Sequence, residues 1–108
     1  MKVYNVHKRM IKGPAGELLP TLASREDKIW PKERWPAMRF QEGLRLNAKG
    51  GHGPIRYTIT NYSPNTFIEF TFSRPKGFYG IHTLAFIPHG NKTEVIHTID
   101  MVTRGQGT

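Results

Sequence analysis

The strongest pattern in the chain is an alternation of apolar and polar residues that runs from Pro54 almost to the end. Apolar side chains recur at every second position in segments 55–62, 67–72, 78–86 and 94–102. A period of two is typical of β strands that have one buried face. The four segments therefore predict an antiparallel meander with one apolar face. That face consists of Ile55, Tyr57, Ile59, Ile68, Phe70, Phe72, Phe78, Leu84, Phe86, Val95, Ile99 and Met101.

The turns between these segments predict which residues pair across neighbouring strands. The segment 63–66 (Ser-Pro-Asn-Thr) has proline and asparagine where a tight turn favours them, and 73–77 is interpreted as a five-residue loop. A slip of one residue would turn a whole row to the other face, so the register that matches the apolar rows is favoured. The predicted pairs are Tyr62–Phe67, Ile55–Arg74, Tyr57–Phe72, Ile59–Phe70, Phe72–Phe78, Phe70–Gly80 and Ile68–His82.

Two histidines, His82 and His97, lie on this otherwise apolar face. With 90–91 as the loop between the last two strands they are diagonal neighbours, and with 89–90 they are directly opposed. In both cases they are within side-chain reach of each other. Buried imidazoles need hydrogen-bond partners, so the pair is either a satisfied part of the core or a means of orienting a ligand. A metal site would need a third ligand such as His52, and no spacing supports one.

The first half of the chain predicts a strand and a short helical segment that pack onto the sheet. Residues 3–11 form the strand, with Tyr4, Val6 and Met10 on one of its faces. Apolar residues then recur at helical spacing over 15–22. Pro20 interrupts that pattern, so we expect a kinked or divided helix. Ser24 and the acids that follow it could cap one further helical turn.

A loop with two Trp-Pro pairs, at Trp30 and Trp35, precedes the sheet. The indoles either plug the edge of the core or line the entrance to a ligand site. Residues 38–46 suggest an irregular second strand that is interrupted at Gly43. The glycine-rich stretch 50–53 is interpreted as a loop that leads directly into the strand at 55. It does not link a strand to a helix, so it is not a dinucleotide-binding loop.

Composition limits the range of functions without selecting one. The chain has 108 residues and a formal net charge of +8, of which residues 1–50 contribute +6. The cations are mostly scattered singly, which favours a solvated basic face over nucleic-acid binding. The absence of cysteine and of a long apolar run indicates a cytoplasmic protein without disulfides or a membrane span. The serines lie in turns and the acids of the sheet point outward, so no nucleophilic triad is recognisable.

Five motifs together resemble a group of small bacterial proteins of the SRPBCC superfamily, which includes START-like and polyketide cyclase-like members. The motifs are Asp27 with Trp30-Pro31, Trp35-Pro36 with Met38, Gly51-His52-Gly53-Pro54-Ile55-Arg56-Tyr57, Gly77-Phe78-Tyr79-Gly80-Ile81-His82 and Thr93-Glu94-Val95-Ile96-His97. The resemblance covers nearly the whole chain and implies one domain over residues 1–108. It also implies an α+β helix-grip fold, in which a curved antiparallel sheet and a long C-terminal helix enclose an apolar ligand.

The resemblance implies which residues form the site. The predicted ligand-binding residues are Tyr57, Ile59, Phe70, Phe72, His82, Leu84, His97 and Ile99, and the predicted pocket mouth consists of Trp30, Trp35, His52 and Arg56. The function implied is the binding of a small or elongated apolar ligand, without a cofactor or metal. Two alternatives stay open. One is a cyclase or isomerase in which His82 and His97 exchange protons with the substrate, and the other is a nucleic-acid or anionic-partner binder.

The sequence departs from this family at its end, because after Arg104 only 105–108 remain and no grip helix is encoded. An uncovered apolar sheet face is a liability in a monomer. The N-terminal helix could cover this face, or the chain could be a shortened form. We expect instead that the chain forms a dimer through the open face.

Overall fold

The computed structural model describes residues 1–31 and 33–105 and contains one curved, seven-stranded antiparallel sheet. The elements are β1 Lys2–Lys12, α1 Ala15–Leu18, a 3₁₀ helix Leu19–Thr21, β2 Met38–Phe40, β3 Lys49–His52, β4 Ile55–Ser63, β5 Phe67–Arg74, β6 Phe78–His89 and β7 Lys92–Thr103. The order across the sheet is β1-β7-β6-β5-β4-β3-β2. The predicted α+β class with a curved antiparallel sheet is confirmed.

No long helix occurs among the described residues, and the chain from Thr103 to Gly105 continues without one. Residues 106–108, where the sequence predicts no helix, lie outside the described residues. Of the helices that are described, none has the length and apolar character needed to cross a membrane.

The register between β4 and β5 agrees with the prediction in its centre and differs at both ends. Tyr57 pairs with Phe72 as predicted, but Phe67 pairs with Ser63 rather than with Tyr62. The turn is therefore one residue shorter than predicted, with Asn65 at a φ of 73°. An irregularity between Ile59 and Asn61 compensates for this difference and restores the predicted pairs farther along. At the other end Arg74 pairs with Arg56 instead of Ile55.

The predicted pairs between β5 and β6 are wrong by two residues. Phe70 pairs with His82 and Ile68 pairs with Leu84. Paired residues end at Thr71 and Ile81, so the connection is longer than a tight five-residue loop. A shift of two residues keeps the same face inward, which is why the apolar row is still correct.

The last hairpin follows the first of the two registers considered. His89 pairs with Lys92 across the loop 90–91, and His82 lies opposite Ile99. His97 lies opposite Leu84. The two histidines are therefore diagonal neighbours on the inner, concave face.

The helical segment is divided, as predicted: α1 passes into the 3₁₀ helix at Leu19, one residue before Pro20. The further helical turn expected after Ser24 is wrong. Instead, the carboxylate of Asp27 accepts hydrogen bonds from the backbone N–H groups of Ala23, Ile29 and Trp30 at 2.7–2.9 Å. These bonds fix a compact loop rather than a helix.

Two predictions about residues 38–53 are wrong. The second strand ends at Phe40, and the glycine-rich stretch is not a loop but strand β3, which pairs with β2 and β4. The turn begins directly after β3, at Gly53, which has a φ of 54°. A side chain at Gly50 or Gly51 would collide with a neighbouring strand's backbone, so glycine permits the close pairing that the sequence pattern hid.

The core lies between the concave face of the sheet and the segment from α1 to Trp30. It is one cluster of buried side chains: Leu18, Leu19, Leu22, Ile29, Trp30, Met38, Phe40, Ala48, Tyr57, Ile59, Ile68, Phe70, Leu84, Phe86 and Val95. The N-terminal segment thus covers part of the concave face. Phe72, Phe78 and Ile99 are only half-buried, and the candidate site lies beside them.

Candidate ligand-binding site

The loop with the two Trp-Pro pairs covers the histidines of the sheet. Trp30 is 4% exposed, and its indole N–H donates a hydrogen bond of 2.9 Å to the carbonyl oxygen of Pro36. The ring centroids of Trp30 and Trp35 are 5.1 Å apart. The Trp30 ring lies 4.7 Å from His52 and 5.9 Å from His97, centroid to centroid. The two indoles therefore cover these imidazoles.

Beneath the two indoles, two hydrogen-bonded pairs bring together groups that are distant in sequence. His97 Nε2 lies 3.3 Å from His82 Nδ1, and His52 Nδ1 lies 2.8 Å from the Tyr57 hydroxyl. The His82 ring stacks on Phe70 and meets the Tyr57 ring edge to face, with centroids 4.4 Å apart in both cases. The strand register produces this arrangement, because β4, β5, β6 and β7 direct alternate side chains to one face.

Burial keeps these histidines uncharged at neutral pH. It lowers the pKa of His52 to about 4, with a further contribution from Arg56, and lowers the pKa of His97 to about 4, with His7 contributing. The pKa of His82 is also well below its ordinary value because of burial and the neighbouring His97. Burial raises the pKa of Tyr57. The site thus offers neutral hydrogen-bonding groups in an apolar setting.

One ring nitrogen in this cluster has no partner within the protein. His82 is 2% exposed, and its Nε2 atom makes no hydrogen bond to any described residue. Its Nδ1 atom is already engaged with His97. An unpaired buried nitrogen costs free energy, and a ligand or water molecule that reached it would recover that cost.

A cavity of about 280 Å³ adjoins the cluster on the concave face. Its lining is mostly aromatic and aliphatic: Trp30, Trp35, Pro36, His52, Pro54, Ile55, Phe72, Phe78, His82, His97, Ile99 and Met101. We call it the apolar cavity. Its volume is slightly below the range that is usual for small-molecule sites, which is roughly 300–1,000 Å³.

A second cavity of about 290 Å³ lies on the β1 side of the Trp-Pro loop. Among the described residues its lining consists of His7, Lys8, Arg9, Ile29, Trp30, Pro31, Glu33, Arg34, Trp35, Leu84, Val95 and His97. We call it the basic cavity. It shares Trp30, Trp35 and His97 with the apolar cavity, so the two are neighbours around the same side chains.

Most of the predicted site residues come together here, with differing roles. Of the predicted ligand-binding residues, Phe72, His82, His97 and Ile99 line the apolar cavity, and Leu84 lines the basic cavity. Tyr57, Ile59 and Phe70 are at most 1% exposed and line neither of these two cavities. Of the predicted mouth, Trp30, Trp35 and His52 line the apolar cavity.

Arg56 does not lie at this mouth. It is exposed, donates hydrogen bonds to the carbonyl oxygens of Gly53 and Ile55, and lines a groove on the sheet surface. In the register it lies opposite Arg74 on one side and Gly51 on the other, and Gly51 lies opposite Arg39. The three arginines thus form a row across four strands, which we call the arginine row.

The sequence prediction missed the cations of the basic cavity, Lys8, Arg9 and Arg34, and the histidine beside them, His7. The alternation in β1 does place His7 and Arg9 on one face, opposite Tyr4 and Met10. However, alternation cannot say which of the two faces points inward, and no sequence signal joined β1 to the loop residue Arg34.

No group of three or more His, Asp or Glu side chains within residues 1–31 and 33–105 is arranged to hold a metal ion. His52, considered above as a third metal ligand, instead makes its hydrogen bond to Tyr57.

No family model and no curated protein sequence matches this chain. Solved structures do resemble it. CalU16 from Micromonospora echinospora has a TM-score of 0.70 at 12% identity, covering 93% of this chain; this chain spans 60% of the CalU16 chain. An HSP90 activator from Plasmodium falciparum has a TM-score of 0.72 at 15% identity, with 94% of this chain and 75% of that chain covered.

A third similar structure is the Aha1 dimer from Colwellia psychrerythraea, solved in solution. Its TM-score is 0.67 at 14% identity, and the match covers 98% of this chain and 80% of the other. Identities this low show the fold alone, and they do not transfer any activity or partner. The fold of this chain is therefore the helix-grip fold of these structures, with its curved antiparallel sheet and short helical segment.

Proposed function

We propose that this protein binds a small, mainly apolar ligand in the apolar cavity on the concave face of its sheet. The observation that carries the proposal is the cavity itself, about 280 Å³ in volume and lined mostly by aromatic and aliphatic side chains. Burying apolar ligand surface against such a lining supplies the main driving force for binding.

The neutral polar groups beside the cavity provide orientation rather than charge. His82 Nε2 is unpartnered, and His97 lines both cavities. A ligand with one hydroxyl, carbonyl or amide group could satisfy an imidazole nitrogen while its apolar body fills the cavity. Specific small-molecule sites typically have an apolar lining that contains a small number of polar groups.

The same histidines favour binding over proton-transfer catalysis. A general acid or base works best when its pKa is near the working pH. The pKa values of His52 and His97 are lowered to about 4, and burial also holds the pKa of His82 low. The enzyme alternative, with His82 and His97 as a proton-exchanging pair, is supported by their 3.3 Å contact. That alternative stays a prediction, to be tested by the loss of turnover in His97→Gln.

The binding proposal can be tested with 2-naphthamide, a neutral aromatic probe that has one polar group. Both tryptophans of the chain line the apolar cavity and the adjoining basic cavity, so the two indole N–H signals in a ¹H–¹⁵N NMR spectrum report binding in either cavity. We expect both signals to shift in a saturable manner. No shift at millimolar probe would overturn the proposal.

A matched pair of variants on β7 localises the binding. Ile99→Phe places a larger side chain in the apolar cavity and should weaken probe binding about tenfold or more. Val102→Phe adds the same ring on the exposed outer face and should leave the affinity within about twofold. Equal effects of the two variants would place the probe elsewhere.

Self-association through the open side of the concave face also stays a prediction. Phe72, Phe78 and Ile99 are half-buried there, and a second copy would cover them. Sedimentation equilibrium should then give about twice the chain mass of 12.4 kDa. A mass of one chain at micromolar concentration would contradict it. The cytoplasmic location likewise stays a prediction.

A further inference from the structure

The edge strand β1 directs the side chains of His7 and Arg9 toward the ligand side of the sheet. Its partners in β7 show this orientation, because His7 lies opposite His97 and Arg9 lies opposite Val95, and both partners line the concave face. The outer face of β1 carries exposed apolar residues instead: Tyr4 is 65% exposed and Met10 is 49% exposed. In the middle of this strand the usual distribution, with apolar residues inward, is thus largely reversed, whereas Ile11 near its end packs inward against the core.

The cations around the basic cavity have little compensation from nearby acids. Among the described residues, its lining includes Arg9 and Arg34, Lys8 from the outer face of β1, and Glu33 as the single acid. These residues leave a formal charge of +2 before any histidine is counted. In the part of the chain that the structure describes, neither arginine forms an ion pair. Arg9 donates one hydrogen bond to the carbonyl oxygen of Ile29, which holds its guanidinium at the wall of the cavity.

Below these cations the wall is apolar. Leu84 and Val95 are each 3% exposed and contribute to the lining, together with the two indoles. Positive charge beside a low-dielectric wall attracts an anion more strongly than the same charge in open water. The indoles and His97 continue into the apolar cavity, so charge and apolar surface adjoin each other without an intervening element.

We propose that the ligand of this protein is an amphipathic organic anion, whose carboxylate lies against Arg9 and Arg34 and whose apolar body lies along Trp30 and Trp35. This inference rests on the proposed function and adds the chemical class of the ligand. A guanidinium group fits a carboxylate with two parallel hydrogen bonds, which gives direction as well as attraction. One bound carboxylate would also compensate half of the formal charge of +2 in the lining.

The shape of the site distinguishes this ligand from an extended polyanion. The basic cavity is a bounded space of about 290 Å³ whose deep wall is apolar. That space suits a single anionic group joined to a ring or short chain. A phosphate backbone would need a series of cations in an open groove instead.

The test compares 2-naphthoate with 2-naphthamide, which have the same ring system and nearly the same shape but differ in charge. Isothermal titration calorimetry should show the carboxylate binding about tenfold more tightly to the wild-type protein. Arg34→Gln and Arg9→Gln should each reduce the affinity for 2-naphthoate about fivefold and change that for 2-naphthamide less than about twofold. Glutamine at either position removes the positive charge but keeps a polar side chain with N–H donors.

Arg45→Gln is the matched control. Arg45 lines neither cavity, and its side chain is 63% exposed and paired with Glu42, so this variant removes one charge from the chain without altering the site. It should bind both probes as the wild type does. Equal affinity for the two probes, or a carboxylate preference that survives both cavity substitutions, would overturn the inference while leaving apolar binding intact. Failure of both probes to bind would overturn the proposed function as well.

Discussion

Strands β1 and β7 are neighbours of nearly equal length, 11 and 12 residues, yet residues directly opposite each other on their inner faces differ in burial. On β7 the inward residues Val95 and Met101 are buried, whereas on β1 the inward residues His7 and Arg9 are exposed. Backbone pairing therefore does not decide burial. An edge position does not decide it either: β1 and β2 each have a strand on one side only, yet β2 buries Met38 and Phe40. What packs over the inner face decides it.

The largest difference in stability between the two inner faces is expected at Val95 and Arg9, which lie directly opposite each other. Val95→Arg would place a charge at a position that is 3% exposed, and it should lower the free energy of unfolding by about 4 kcal/mol or more. Urea denaturation measures this difference. The mirror change Arg9→Val should lower it by less than about 1 kcal/mol, the scale of one hydrogen bond. Similar losses for the two variants would mean that the two inner faces are equally buried.

Acid should destabilise the protein through the histidines beneath the Trp-Pro loop. The pKa values of His52 and His97 fall from 6.5 to about 4 on folding. Between those pH values the unfolded chain binds protons that the native protein does not, so stability is highest above pH 6.5 and declines toward pH 4.

For each histidine, the free energy of unfolding can fall by at most about 1.4 kcal/mol per unit of pH decrease. Both rings are partly exposed, and solvent screening reduces this effect. We therefore expect a total loss of about 2–3 kcal/mol in the free energy of unfolding between pH 6.5 and pH 4. Urea denaturation across this pH range measures the loss. The double variant His52→Gln/His97→Gln should show a flatter profile, and an unchanged profile would show that these rings are not the source.

The smallest effect is expected on the outer face of β1. Tyr4 is 65% exposed, and Tyr4→Ser should change the free energy of unfolding by less than about 0.5 kcal/mol. Thermal and urea unfolding at several protein concentrations provide the measurement. A concentration-dependent loss above that limit would show that another molecule covers this face.

The sequence was sufficient for the apolar face because alternation is a local property of each strand. The residues predicted to share a face with Tyr57 and His82 do so, even where the register was wrong by two residues, as between β5 and β6. A register error of two residues leaves each side chain on the same face of the sheet. Between β4 and β5 the predicted turn was one residue too long, and the bulge near Thr60 compensated for that error.

The rest of the site depends on contacts between distant segments. Nothing local places Trp30 over His52 or Arg34 near β1, because these contacts follow from the path of the Asp27 loop. The strand β3 was hidden for a related reason: Gly50 and Gly51 give no alternation, and only the close approach of the neighbouring backbones explains why glycine is there.

The arginine row has a consequence for how the protein responds to dissolved salt. Arg56 and Arg74 lie directly opposite each other across two strands, and like charges in this position repel each other. Both arginines are exposed, so mobile counterions can screen the repulsion, with a Debye length of about 10 Å at 0.1 M salt. For this sheet, moderate ionic strength therefore supports the folded state, and low-salt buffers act against it.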